Sequence, residues 1–135
     1  MAQYDVIIVG AGPAGIFTAL ELKRKAPGKS VLLVDEGLTI DRRSCPARKT
    51  GRCVHCPPCN IMSGWSGAGA FSDGKLSLSE EVGGNIVEYM SRDEARELIA
   101  YADSIYTSFG APEKVHGLND KRVEEIDYEC SRHNI

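Results

Sequence analysis

The 135-residue chain has no long hydrophobic run: the apolar stretches Val6 to Val9 and Val31 to Val34 are four residues each. Segments that short are neither a secretory leader nor a membrane span, and a cytoplasmic location is the default expectation. An excess of charge of one sign is also missing. A net charge of −3 excludes the strongly basic surface of a nucleic-acid-binding domain, although Arg42, Arg43, Arg48, Lys49 and Arg52 make one locally basic stretch. That stretch reads as a solvated loop, or as one attracting an anion or thiolates. The length allows one core-bearing domain and is too small for a complete two-domain enzyme, so a fragment is expected. Five cysteines without a secretion signal read as reduced thiols, metal ligands or redox groups rather than a disulfide framework.

What is present starts with Gly10-Ala11-Gly12-Pro13-Ala14-Gly15, directly after the Val6 to Val9 run and about twenty residues before the acidic pair Asp35 and Glu36. A bare Gly-x-Gly-x-x-Gly is common by chance. It becomes informative when a strand enters it, a helix leaves it and an acid follows at this spacing, and then it predicts a dinucleotide site. Gly10 permits the tight turn, Gly12 removes a Cβ where a diphosphate approaches, and Gly15 lets the helix lie close to the sheet. Pro13 lacks an N–H where the first helical turn has no intrahelical use for one. The amides of that turn, with Ala14 among them, would face the diphosphate. Asp35, ending the second strand, is expected to take the ribose, with Glu36 as the alternative. A glycine-rich turn of some other α/β domain is the competing reading.

Periodicity organises the rest. A strand, a helix from about Pro13 to Ala26 with Ile16, Ala19 and Leu20 on one side, a Pro27-Gly28 terminator and a second strand form one β-α-β unit. Residues 36–74 then lose periodicity and form a long Cys/Gly-rich loop region, which in a compact domain is usually functional. Lys75 to Ser79 alternates and predicts a short strand. Ser91 with Glu94 predicts a capping box, opening a helix whose Ala95, Leu98, Ile99, Ala102, Ile105, Tyr106 and Phe109 share a stripe and which ends at Gly110 and Pro112. A more charged helix is expected from about Asp120 to Cys130.

The loop region carries two further patterns. Cys53, Cys56 and Cys59 make two overlapping Cys-x-x-Cys steps with Cys45 upstream, so four thiolates are candidates for zinc or an iron–sulfur cluster. Free thiols in a proline-stiffened loop and a thiol/disulfide redox role remain open beside it. Gly64 to Lys75 is rich in small residues that can follow a flat cofactor closely. Gly67 and Ala68 would offer backbone N–H groups there, and Ser72 and Lys75 polar contacts. Asp73 is either catalytic or part of a turn.

Three segments resemble the NAD(P)/FAD-dependent oxidoreductases, in particular their FAD-dependent dehydrogenase group: Asp5 to Val9 entering the glycine fingerprint, Cys59 to Trp65 continuing through Asp73 to Leu76, and Phe109 to Pro112 after a long helix. The resemblance implies an α/β fold, a Rossmann-like FAD/NAD(P)-binding βαβ domain. It is incomplete, with a long Cys/Gly-rich loop and C-terminal helices. It further implies FAD held by Gly10, Gly12 and Gly15, the ribose on Asp35, the Gly64 to Lys75 region near the flavin, and hydride transfer to or from a small-molecule substrate. No residue is singled out as a catalytic acid or base. A second Gly-Asp element and a substrate or cap domain are not visible, so the chain reads as the N-terminal portion of a larger enzyme. It would be inactive alone, with the missing C-terminal portion as a possible separate chain. The alternatives are an NAD(P)-binding dehydrogenase without flavin and a non-enzymatic zinc or iron–sulfur module.

Overall fold

The computed structural model describes residues 3–72, 74–118 and 121–133, so Asp73 and the expected helix start at Asp120 lie outside the described residues. The chain divides into two compact units, Met1–Lys75 and Leu76–Ile135.

In the first unit, β1 (Val6–Val9), α1 (Pro13–Lys25) and β2 (Val31–Val34) form the expected β-α-β unit. The strands pair in parallel with Val6 opposite Val31 and Val9 opposite Val34. β-Branched residues suit the pleated ladder, and a parallel pair requires a crossover of the kind α1 supplies. Lys23, Arg24 and Lys25 fill the last turn of α1, where cations complement the helix dipole. Val6 and Ile8 are half-buried, while Ile7 and Val9, on the opposite face, are 61% and 83% exposed. At the far end of the pair from the glycine turn, Asp5 accepts bonds from the Ser30 N–H, the Ser30 hydroxyl and Lys29, which hold its carboxyl well below the usual range. After β2 the chain makes a 3-10 turn (Ile40–Arg42), a short helix α2 (Ala47–Thr50) and a 3-10 helix (Gly67–Phe71).

The second unit contains a 3-10 turn (Ile86–Glu88), α3 (Arg92–Ser108) and α4 (Lys121–His133). α3 opens on the expected capping box: the Ser91 hydroxyl accepts from the Glu94 N–H, and the Glu94 carboxylate accepts from the Ser91 N–H. Gly110 follows it in the left-handed region (φ +99°), as a helix stop requires. Glu80, buried, takes Arg96 at 2.7 Å and Arg92 at 3.1 Å, and these guanidinium groups pull its carboxyl down to about 2. Two expectations change here. Residues 75–79 form no strand, because alternation yields one only where a ladder partner exists. The α3 stripe is narrower than its sequence: Ala95 is buried and Ile99, Ala102 and Ile105 are half-buried, whereas Leu98, Tyr106 and Phe109 are exposed.

Candidate functional site

The turn from β1 into α1 is built by missing atoms. Gly10 takes φ +102°, a conformation that an L side chain rarely adopts. A Cβ on Gly15 would collide with the Gly10 carbonyl oxygen, so helix and strand approach each other only because Gly15 has none. Gly12 differs. A Cβ there would meet nothing within 4 Å, and Gly12 is the N-cap of α1 with no side chain capping the helix. The first-turn amides, with Pro13 at the helix start and Ala14 exposed beside it, therefore face open space at the positive end of the helix dipole. Open space over Gly12 and an uncapped helix start are what a diphosphate needs, and the residues present fit an adenine dinucleotide.

Asp35 departs from its simplest expected role. One carboxylate oxygen accepts the Ala11 N–H at 2.7 Å and the other accepts the Gly37 N–H at 2.8 Å. These bonds, led by the one from Ala11, hold its carboxyl below the usual carboxylate range. Ala11 itself is fully buried. Asp35 thus ties the glycine turn to the end of β2, and its oxygens keep only their remaining lone pairs for a ligand. Glu36 is exposed, with Oε1 accepting from the Ser63 hydroxyl at 3.0 Å. A cleft of about 560 Å³ opens between Val9, Gly10, Val34, Asp35, Glu36, Met62 and Ser63. It lies at the carboxyl ends of two parallel strands, where open α/β sheets bind ligands.

The loop region supplies the far wall. The Ser66 N–H donates to the Ala11 carbonyl at 2.8 Å, and a Cβ on Gly67 would lie 3.4 Å from Gly12 Cα, so the second glycine segment rests on the first. Gly37 and Gly64 interleave: a Cβ on Gly37 would fall 2.5 Å from the Ser63 carbonyl carbon, and one on Gly64 would fall 2.5 Å from the Leu38 oxygen. Ala68 is exposed within the Gly67–Phe71 turn, the Ser72 hydroxyl accepts the Gly74 N–H at 3.1 Å, and Lys75 is exposed. Of the residues expected at the cofactor, Gly10, Gly12, Pro13, Gly15, Asp35, Glu36 and Gly67 come together.

Arg43 was legible only as one member of a basic stretch. It is 5% exposed, and its guanidinium donates to the carbonyls of Asn60 (2.9 Å), Ile61 (2.5 Å) and Trp65 (2.5 Å) and lies 4.8 Å from the centroid of the Phe71 ring. It is buried rather than solvated, and its charge lies near the Cys59 thiol. Met62 and Ser63 are further residues that the pattern did not disclose, because no local motif marks a cleft wall.

The cysteine expectation is corrected. Cys45, Cys53, Cys56 and Cys59 are free thiols, and among the described residues no group of three or more His, Cys, Asp or Glu side chains is placed to hold a metal ion. The sulfurs are engaged locally instead. His55, at φ +53°, turns its N–H onto Cys53 Sγ at 3.4 Å, and Cys59, whose carbonyl accepts the Met62 N–H at 3.1 Å and the Ser63 N–H at 2.9 Å, has its thiol beside the amides of Met62 and Ile61. Those amides, with Arg43 nearby, lower the Cys59 thiol from its ordinary value.

A parallel β-α-β unit with a glycine turn, an uncapped helix start and a cleft beyond the strand ends defines a Rossmann-type dinucleotide-binding protein. The model of the pyridine nucleotide-disulphide oxidoreductase family matches residues 4–131, and the chain belongs to that family of FAD- and NAD(P)-binding oxidoreductases. A curated relative from Clostridium beijerinckii, described as an uncharacterized protein, is 40% identical over 72 residues, a segment that is 53% of this chain. The match spans 13% of that relative's length. No solved structure matches the chain. No described helix is long and apolar enough to cross a membrane.

Proposed function

We propose that this chain is the N-terminal, FAD-holding portion of an FAD-dependent dehydrogenase that exchanges hydride with a small-molecule substrate. The observation that carries the reading is the cleft at the ends of β1 and β2, lined by Gly10, Asp35 and Glu36, with the uncapped N-cap Gly12 of α1 following two residues after Gly10. Bound FAD would supply the two-electron chemistry. This chain's residues bind and orient: first-turn amides at Ala14 and Gly15 hold the diphosphate, and Glu36 beside Ser63 accepts from the ribose while Asp35 keeps the turn in place. The second glycine segment, seated on the first, supports a flavin rather than a nicotinamide nucleotide alone, because it extends the cradle beyond the diphosphate turn.

The bare face of the sheet supports the partial character of the unit. Parallel sheets are covered on both faces, and exposed Ile7 and Val9 are apolar surface that further polypeptide would bury. Calorimetric titration of this chain with FAD, NAD and NADP tests the reading. FAD is expected to bind at least ~10-fold more tightly than either nicotinamide nucleotide, a difference of about 1.4 kcal/mol. Tighter binding of NAD would favour a dehydrogenase without flavin, and an absence of binding by all three would sink the dinucleotide assignment.

A further inference from the structure

We infer that Arg43 is the positioning residue of the dinucleotide cleft: by gathering the carbonyls of Asn60, Ile61 and Trp65, it sets Met62 and Ser63 as the wall opposite Asp35 and Glu36. The inference rests on the cleft taking an adenine dinucleotide and goes beyond it, because Arg43 does not line the cleft. The three carbonyls lie on either side of Met62, Ser63 and Gly64, so one planar group closes the chain around the residues that face the cleft. The aliphatic stem contributes too: a Cβ on Gly64 would sit 2.9 Å from Arg43 Cδ, so the side chain runs where only glycine leaves room. Asn60 locks the arrangement from the other end, its amide donating to the Ser44 carbonyl at 2.9 Å.

These hydrogen-bond partners are carbonyls and not carboxylates, the Asp35 carboxylate acting on the guanidinium only electrostatically, and a desolvated cation without a hydrogen-bonded counter-charge is an expensive way to stabilise a loop. If packing alone mattered, an apolar side chain of similar volume would serve. What a guanidinium adds is a rigid fork that fixes several acceptors relative to one another, which the point charge of lysine does not reproduce. The consequence passes directly to the site: Ser63 hydrogen-bonds Glu36, and Ser66 hydrogen-bonds Ala11 of the glycine turn.

The test uses the 135-residue chain, its Arg43→Lys variant, and both again with Ser63→Ala, titrated with FAD by calorimetry while far-UV circular dichroism confirms that each is folded. Arg43→Lys should weaken FAD by ~10-fold with the dichroism unchanged, and in the Ser63→Ala background the same replacement should cost less than ~3-fold, since the effect runs partly through that hydroxyl. Independent, multiplying effects would mark Arg43 as merely structural and overturn the inference, as would a folded Arg43→Lys that binds FAD like the unaltered chain. If the variant does not fold, hydrogen exchange on the unaltered chain decides: FAD should slow amide exchange across residues 61–66, and unchanged exchange there overturns the inference. An unaltered chain that binds neither FAD nor NAD overturns the dinucleotide reading itself, an outcome distinct from normal binding with an indifferent Arg43.

Discussion

Residues 10–15 and residues 59–67 border the same cleft, and both depend on glycine, yet they are held by different means. The first is a turn between two regular elements, with Gly10 at positive φ and Gly15 pressed on the Gly10 carbonyl, so main-chain sterics within six residues shape it, and Asp35 and Ser66 anchor it at Ala11. The second lies between no strands or long helices. It keeps its path because the buried Arg43 reaches it from 17 to 22 positions away and because Gly64 interleaves with Gly37. Local backbone geometry makes one wall, and a distant side chain makes the other. Asp35 joins them, since its oxygens take one amide from the turn and one from Gly37, the residue packed on the loop.

The sharpest way to break this comparison is Gly15→Ala. Its Cβ would meet main chain rather than a flexible side chain, so a loss of about 3 kcal/mol is expected, read as a lowered denaturation midpoint. An unchanged midpoint would show that helix and strand can separate at no cost. Asp35→Asn should cost about 2 kcal/mol at neutral pH, because a charged acceptor of two amides is replaced by a group that can accept only one of them. The sign with pH follows from a carboxyl held low in the folded state. Its contribution is complete above the unfolded pKa of ~3.9 and disappears as pH falls through the lower folded value. Urea titrations of both proteins should therefore show a constant gap from neutral pH down to ~4, closing below it. A gap independent of pH would remove the charge from the explanation.

Gly12→Ala sharpens the contrast within the turn. Open space around Gly12 predicts a stability change under ~1 kcal/mol together with FAD binding weakened ~10-fold, the reverse of the Gly15 pattern. Equal losses in both properties would mean that Gly12 is structural. The smallest effect belongs to the cysteines. Mass-spectrometric mapping after brief iodoacetamide treatment at neutral pH should find Cys59 modified before the similarly exposed Cys53, because the neighbouring amides of Met62 and Ile61, with Arg43 nearby, lower its thiol from the ordinary value. Preferential labelling of Cys53 would contradict that.

The turn was legible because its demands are local. The short apolar runs at Val6–Val9 and Val31–Val34, glycine where a Cβ or a negative φ is not tolerated, and proline at the helix start all state their structural reason within a few positions. The Ser91 and Glu94 capping box was readable for the same reason. Spacing misled where direction mattered. The repeated Cys-x-x-Cys steps place sulfurs close in sequence, but among the described residues no three of them are gathered to hold a metal, and Cys53 sulfur takes the N–H of the left-handed His55 instead. Lys75 to Ser79 has a strand's alternation and no ladder to join.

The order of residues, taken alone, determined the β-α-β unit, the glycine turn and the family resemblance, since sterics and hydrogen bonding over one or two turns of chain suffice to specify them. Only the tertiary structure decided that Asp35 holds the turn while lining the cleft together with Glu36, and that a basic residue in an irregular segment is buried. Those outcomes depend on loop closure bringing Arg43 to Asn60, Ile61 and Trp65, and no periodicity in the chain encodes which of several arginines will be enclosed when that loop closes.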